Sequence, residues 1–243
     1  MAGQTLSFSA LLDRPDVWRG DSLGRAGAPA VPSGFSRLDA ELPGGGWPAG
    51  ALTEILPTHE GIGELRLLGP ALAALSQRGL RLAWIAPPHL PYAPALAAAG
   101  IEPAMLIVVR AASAKEALWA AEQALASNAC GAVLAWPHAA RYAELRRLQV
   151  AAEGGRAPAF LFRPAAAARE SSPAPLRIAL DTTRGELAVG IFKRRGAPLA
   201  SPVLLPAVPP AARARPSHHH HHVDRHPVPA PAARNFPARL VRA

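Results

Sequence analysis

The sequence is poor in residues on which many functional sites depend. Among its 243 residues are one cysteine, Cys130, two lysines, Lys115 and Lys193, and only 5% aromatic residues. A single cysteine excludes an internal disulfide and a metal site built from several cysteines. Because Cys130 lies beside the apolar run "GAVLAW", we predict that it is a small core residue rather than a nucleophile.

The sequence also lacks the patterns typical of export and membrane insertion. Its first residues, "MAGQTLSFSALLDRPDVW", contain no basic stretch followed by an apolar core, so we expect no signal peptide. The most apolar region, 82–109, is interrupted by five prolines, and we therefore expect no membrane-spanning segment. A reduced cytoplasmic location is the resulting expectation.

Positive charge is abundant but unevenly distributed. The formal net charge is +9, and residues 207–243 contribute +5 of it through six arginines and one aspartate. Such a surplus favours nucleic acid or an acidic protein partner, although a GC-rich genome would produce the same composition. Residues 207–243 are also rich in proline and alanine and include five histidines at 218–222. We predict a disordered tail there, because this composition cannot bury a core.

Apolar strands alternate with amphipathic helices between residues 31 and 206. Helix 62–78 is predicted to bury an apolar stripe that includes Leu65, and helix 139–152 to bury a face that includes Tyr142. Helix 113–127 is predicted to begin with a capping box of Ser113 and Glu116. This alternation predicts an α/β core with a mostly parallel sheet and helices on both of its faces. Residues 1–30 are predicted to form a short helix and a linker. The predicted strands of the parallel part are 51–56, 82–86, 104–109, 131–136 and 157–162.

The C-terminal part of the core has a different pattern. The segment "PLRIALDTTRGELAVGIFKRRG" contains two strand-like runs separated by a turn at 183–185. We predict an antiparallel hairpin at the edge of the sheet.

Several segments, in this order, resemble the core of RecA-type recombinases. They are "SGFSRLDAELPGGGWPAGALTEIL", "LAWIAPPHLPYAPALAAAGI", "ASAKEALWAAEQALASNACGAVLAW" and "LAVGIFKRRGAP". A more detailed resemblance, from Trp18 to Gly196, is to the ImuA family, the RecA-like accessory proteins of bacterial translesion DNA synthesis. It rests on "VWRGDSLGR", "LPGGGWPAGALTE", "GIGELRLL", "WIAPPHLPYAPALAAAGI", "LWAAEQAL", "CGAVLAW" and "FKRRG". The cell-division inhibitor SulA shares the shortened RecA-like layout.

The resemblance implies a P-loop NTPase core, but the phosphate-binding loop is degenerate. Such a loop needs the pattern Gly-x4-Gly-Lys-Ser/Thr, in which the lysine reaches the phosphates and the hydroxyl binds magnesium. With the pattern aligned on Gly63, Thr58 replaces the first glycine, Glu64 replaces the lysine and Leu65 replaces the hydroxyl. A glutamate there would repel phosphate by about 4 kcal/mol for unit charges about 4 Å apart at an effective dielectric of about 20. Gly61 and Gly63 are explained by the turn alone.

The other parts of a RecA-type ATPase site are also missing. Ala135 and Trp136 end the strand that should end in a magnesium-binding aspartate, and Pro87 and Pro88 stand where the catalytic glutamate is expected. His89 remains as a candidate base, with a surface or capping histidine as the alternative. We therefore predict no ATPase activity and no cofactor.

Partner binding is the function that the resemblance then implies. The expected partners are ImuB and an error-prone DNA polymerase III alpha-type subunit during the SOS response, with RecA as a further candidate. Weak or no direct DNA binding, no membrane contact and a nucleoid-associated cytoplasmic location go with this function. Loop 163–175, which replaces the DNA-gripping region of RecA, contains Arg163 and Arg169 but few other polar groups.

Two segments are predicted as partner-binding sites. Trp18 and Arg19 could form a docking peptide, or the segment could fold back on the core. In "FKRRG", strand alternation would place Lys193 and Arg195 on one side and Arg194 on the other. The alternative for this patch is an ordinary solvated strand end.

Two other functions are compatible with the sequence. One is a SulA-like inhibitor that binds the division protein FtsZ. The other is an ATPase with an unorthodox site, in which Arg66 or Arg81 replaces the missing lysine.

Overall fold

A computed structural model describes residues 29–137, 139–197 and 199–206. The predicted tail, 207–243, and most of the predicted N-terminal segment, including Trp18 and Arg19, lie outside these residues. The helices are Ser36–Asp39 (α1), Glu64–Gln77 (α2), Ala93–Ala98 (α3), Ala114–Ala126 (α4) and Tyr142–Glu153 (α5), with 3-10 turns at Pro103–Met105 and Ala165–Arg169. The strands are Ala30–Val31 (β1), Trp47–Pro48 (β2), Leu52–Pro57 (β3), Arg81–Ile85 (β4), Leu106–Val109 (β5), Cys130–Ala135 (β6), Ala159–Phe162 (β7), Leu176–Thr183 (β8), Glu186–Lys193 (β9) and Val203–Pro206 (β10).

The predicted α/β fold is confirmed. An eight-stranded sheet has the order β10-β9-β8-β3-β7-β6-β4-β5, and all pairs from β8 to β5 are parallel. Strand β9 is antiparallel to both β8 and β10. The predicted hairpin is therefore present, and β10 extends the sheet beyond it. Strands β1 and β2 form a separate antiparallel ribbon.

The hairpin turn has the backbone conformation that a two-residue connection requires. Thr183 pairs with Glu186, and the two residues between them, Arg184 and Gly185, have φ angles of 53° and 78°. Two consecutive positive φ values are typical of a type I′ turn, whose twist matches that of the flanking strands.

The sheet is buried on both faces, which is why its central strands are continuously apolar. Alternate residues of β4 show the division: Leu82 and Trp84 pack on the α2 side, whereas Ala83 and Ile85 pack on the side of α4 and α5. Among the described helices, none is both long and apolar enough to cross a bilayer.

The helices predicted between residues 31 and 206 are present, and two of their residues are more exposed than the apolar pattern predicted. Helix α2 begins at Glu64, so Leu65 lies in its first turn and is 37% exposed. Tyr142 is the first residue of α5 and is 54% exposed. Both residues belong to first turns, where the helix has only begun to cover the sheet. The predicted cap of α4 is confirmed, because the Ser113 hydroxyl accepts a hydrogen bond from the Glu116 amide at 3.2 Å.

Candidate functional site

The loop between β3 and α2 lies at the carboxyl edge of the central strands. That edge is where α/β proteins bind ligands. Gly61 and Gly63 have φ angles of 79° and 122°, a region that side chains disfavour, so both positions require glycine. Thr58 links the start of the loop to β8: its amide donates to the Leu180 carbonyl at 3.0 Å, and its hydroxyl donates to the Asp181 carboxylate at 3.0 Å.

The Glu64 carboxylate is bound by the backbone amides of this loop. Its Oε1 accepts a hydrogen bond from the Gly61 amide at 2.8 Å, and its Oε2 accepts one from the Gly63 amide at 3.0 Å. In a phosphate-binding loop, amides in such positions point at the oxygens of the bound anion. Here the carboxylate of the chain itself supplies those oxygens. The Glu64 carboxylate thus engages two backbone donors of this loop, which are then not free to bind a phosphate.

An apolar cavity of about 330 Å³ opens beside the loop. Its wall includes the exposed side chains Leu65, Leu90 and Tyr92, and its floor includes Trp84 and Trp136. Trp136 is held in place by Phe162, on which it stacks with 4.6 Å between ring centroids. The lining is thus mainly apolar and aromatic, which is not the lining that a polyphosphate needs.

The structure locates the residues that were predicted to stand where an ATPase would need acidic groups. Ala135 ends β6 and Trp136 follows it, whereas Pro87, Pro88 and His89 lie on the cavity wall. Within the part of the chain that the structure describes, the His89 ring has no hydrogen-bond partner to orient it as a base. No group of three or more His, Cys, Asp or Glu side chains among those residues could hold a metal ion.

The two arginines considered as replacements for the lysine lie in different places. Arg66 is in the first turn of α2 and lines the cavity. Arg81 is the first residue of β4, which puts it at the amino edge of the parallel strands, away from the loop. Arg81 therefore cannot take the role of a phosphate-binding lysine.

A buried ion cluster spans three neighbouring strands and was not predicted from the sequence. Glu54 on β3 is fully buried, and both of its carboxylate oxygens are bound. Oε1 accepts from Arg163 Nη1 at 3.2 Å and from the Ser172 hydroxyl at 3.0 Å, whereas Oε2 accepts from Arg177 Nε at 2.5 Å. Register explains the contacts, because Glu54 pairs directly with Arg177 across β3 and β8 and Arg163 follows β7. The signal in the sequence was a charged residue inside each apolar strand, in "LTEIL" and "LRIAL".

The cluster attaches loop 163–175 to the sheet. Arg177 donates to the carbonyls of Ala167 at 2.7 Å and Glu170 at 3.0 Å, and Arg163 donates to the Glu170 carboxylate at 2.6 Å. Arg163 is only 4% exposed, so it cannot contact DNA in this conformation. Two buried arginines are balanced by two glutamates, as a buried charge requires.

The predicted basic patch at the end of β9 contains three residues in different environments. Arg194 has a side chain that is 7% exposed and is bound to the Glu41 carboxylate at 2.8 Å. Lys193 donates to the Ser172 carbonyl at 2.6 Å, and burial together with the nearby Arg177 lowers its pKa. Arg195 is exposed. The predicted surface role thus remains a prediction for Lys193 and Arg195, whereas Arg194 joins the strand end to the rest of the core.

Cys130 opens β6 and is half-buried. Burial raises the pKa of its thiol, and the nearby Arg81 opposes this effect only in part. A raised pKa leaves less thiolate near neutral pH, and the thiolate is the nucleophilic form. Cys130 therefore packs against the margin of the core rather than within it, and its raised pKa does not favour a nucleophilic role.

Comparison with known proteins gives one partial similarity. No family model matches the chain. The chain is 37% identical over 98 residues to the protein named cell division inhibitor SulA from Edwardsiella piscicida. This match covers 40% of the present chain and 58% of the length of that relative. The similarity supports a relation to SulA over part of the chain. The finer resemblance to ImuA stays a prediction.

Proposed function

We propose that this chain is a non-catalytic protein that acts by binding other proteins and does not use ATP. The observation that carries the proposal is the Glu64 carboxylate on the amides of Gly61 and Gly63. A nucleotide phosphate would have to displace this carboxylate and then remain beside its charge. The apolar cavity lined by Trp84 and Trp136 and the absence of an acid at Ala135 support the same conclusion.

The cellular role that we propose is that of an accessory protein in SOS-induced translesion DNA synthesis. Its partners would be ImuB and the error-prone DNA polymerase III alpha-type subunit, with RecA as a further candidate. The ImuA-like segments between Trp18 and Gly196 support this role. The structure adds that loop 163–175 is attached to the sheet through Arg163 and Arg177, an arrangement that suits a protein with little direct affinity for DNA.

A second candidate is an inhibitor of cell division that binds FtsZ. The similarity to the SulA of Edwardsiella piscicida favours it, since that protein is named as a cell division inhibitor. Both candidates require contact surfaces and neither requires a working nucleotide site. They differ in the partner and not in the chemistry of the loop around Glu64.

Titration with ATP tests the absence of nucleotide binding. Isothermal titration of the full chain with ATP and magnesium is expected to give no binding heat, and the same preparation should not release phosphate. A P-loop ATPase with an intact lysine, measured under the same conditions, serves as the positive control. Saturable binding that weakens when Gly61 or Gly63 is replaced by alanine would contradict the proposal.

Cellular phenotypes distinguish the two partner classes. For the accessory role, we expect that deleting the gene changes mutagenesis after ultraviolet irradiation and that the purified chain captures ImuB. For the inhibitor role, overproduction without DNA damage would instead produce filamentous cells, and the purified chain would capture FtsZ. Filamentation together with unchanged mutagenesis would overturn the accessory role, but it would not contradict the proposal that the chain binds no nucleotide.

A further inference from the structure

A groove of about 500 Å³ lies between the first halves of helices α4 and α5, away from the degenerate loop. Its apolar lining comes from small and aliphatic side chains, namely Ala114, Leu118, Ala139, Ala140 and Leu148. The helices lie side by side because both pack on the same face of the sheet. The groove is therefore a preformed feature of the packed helices.

Trp119 forms one side of this groove and is 59% exposed. The side chain lies one residue beyond the buried Leu118, so the helix turns it away from the core. An exposed tryptophan beside an apolar depression is a frequent anchor in protein interfaces, because it buries a large area and loses little conformational freedom.

The charges around the groove do not balance. At one end, Arg147 Nη2 lies 2.5 Å from the Glu122 carboxylate and joins the two helices. The Glu144 carboxylate is engaged by the Arg141 backbone amide at 2.7 Å. Within the described residues, the side chains of Lys115 and Arg141 have no acidic partner, and both are exposed. The acids lining the groove are thus committed to contacts within the chain, whereas two cations remain available.

We propose that the α4–α5 groove binds a protein segment in which one apolar side chain is flanked by acidic residues. The apolar side chain would enter between Leu118 and Leu148 and contact Trp119, while the acids would meet Lys115 and Arg141. A surface that binds a nucleic-acid strand uses several cations to neutralise the phosphate backbone and several aromatic rings on which bases stack. The groove has two available cations and one aromatic ring, which is fewer. This inference depends only on the two helices and stands independently of the proposed function.

Fluorine NMR of the full chain tests the groove directly. The chain contains five tryptophans, so labelling with 5-fluorotryptophan gives a small set of signals. Loss of one signal in each of the single variants Trp119→Phe, Trp84→Phe and Trp136→Phe assigns these three residues. The probes are a short synthetic peptide with one phenylalanine between glutamates and a matched peptide with lysines in place of the glutamates. We expect the glutamate peptide alone to shift the Trp119 signal, with an effect that decreases as salt is added.

Charge reversal provides the decisive variant. In Lys115→Glu/Arg141→Glu, the glutamate peptide is expected to lose at least tenfold in affinity, and the lysine peptide should gain binding. The matched control is Arg78→Glu/Arg156→Glu, which reverses two exposed arginines outside the groove and should leave both affinities unchanged. Because all four positions are exposed, both variants are expected to fold, which the unchanged signals of Trp84 and Trp136 would verify.

Four outcomes would overturn the inference. They are equal binding of both peptides, binding of neither, shifts confined to the Trp84 and Trp136 signals, and a Trp119 shift produced by a single-stranded oligonucleotide instead of the glutamate peptide. Equal binding of both peptides would mean that the groove does not select its ligand by charge. Shifts confined to the Trp84 and Trp136 signals would place the binding in the cavity beside Glu64. The last one identifies the surface as a nucleic-acid site.

Discussion

Replacing Glu54 with alanine is expected to lower the free energy of unfolding by about 3–5 kcal/mol. The carboxylate is fully buried and is the shared partner of Arg163 and Arg177. Among the described residues, its removal leaves the two buried guanidinium groups with Glu170, which is 56% exposed at its side chain, as their remaining acidic partner. Urea unfolding followed by circular dichroism measures the free energy of unfolding. A loss of this size is expected because a buried charge without a partner is costly.

An exposed ion pair is the appropriate control for Glu54. Glu122→Ala removes the partner of Arg147, whose side chain is 64% exposed, and should cost at most about 1 kcal/mol. A double variant, Glu54→Leu/Arg177→Met, is expected to recover part of the stability that Glu54→Ala loses, because well-packed apolar residues can replace a buried pair. If Glu54→Ala proved no more destabilising than Glu122→Ala, the buried cluster could not be what holds loop 163–175.

Replacing Glu64 with alanine is expected to lower the free energy of unfolding by about 1 kcal/mol and to make stability depend on sulfate. The substitution releases the amides of Gly61 and Gly63, which then lack the acceptor that the carboxylate supplies. A divalent oxyanion can bind such amides, and any ligand that binds only the folded state raises its stability. The measurement is the urea midpoint in sodium sulfate and in sodium chloride at equal ionic strength.

The unaltered chain is the reference for this measurement, since sulfate stabilises most proteins to some degree. Glu64→Ala should gain more from sulfate than the unaltered chain does. Glu60→Ala serves as a matched variant, because Glu60 is an exposed glutamate of the same cavity rim. An equal response to sulfate in all three proteins would mean that the carboxylate does not occupy an anion-binding position.

Much of the fold could be predicted because its strands, helices and turns depend on patterns among neighbouring residues. Continuous apolar runs indicated the buried parallel strands, and Ser113 with Glu116 marked the start of α4. The hairpin followed from two strand-like runs around Arg184 and Gly185. The exposure of Leu65 and Tyr142 was missed because periodicity describes a helix face and does not show where the helix begins to cover the sheet.

The candidate sites were predictable to different degrees. The prediction of a degenerate phosphate-binding loop at Glu64 could be made from the sequence, because the loop motif is short and contiguous. The groove beside Trp119 was missed, since its walls come from α4 and α5 and depend on how the helices pack. Arg194 was placed with the surface patch because only the folded chain brings it to Glu41.

By itself the sequence determined the α/β alternation, the turn glycines and the absence of a phosphate-binding lysine, because each depends on neighbouring residues. Only the tertiary structure decided what Glu64 binds and which charges are buried. Glu54 meets Arg163 and Arg177, which are 109 and 123 residues away along the chain, through strand order and register. Spacing along the chain carries no information about such contacts, since they arise where separate strands become neighbours in the sheet.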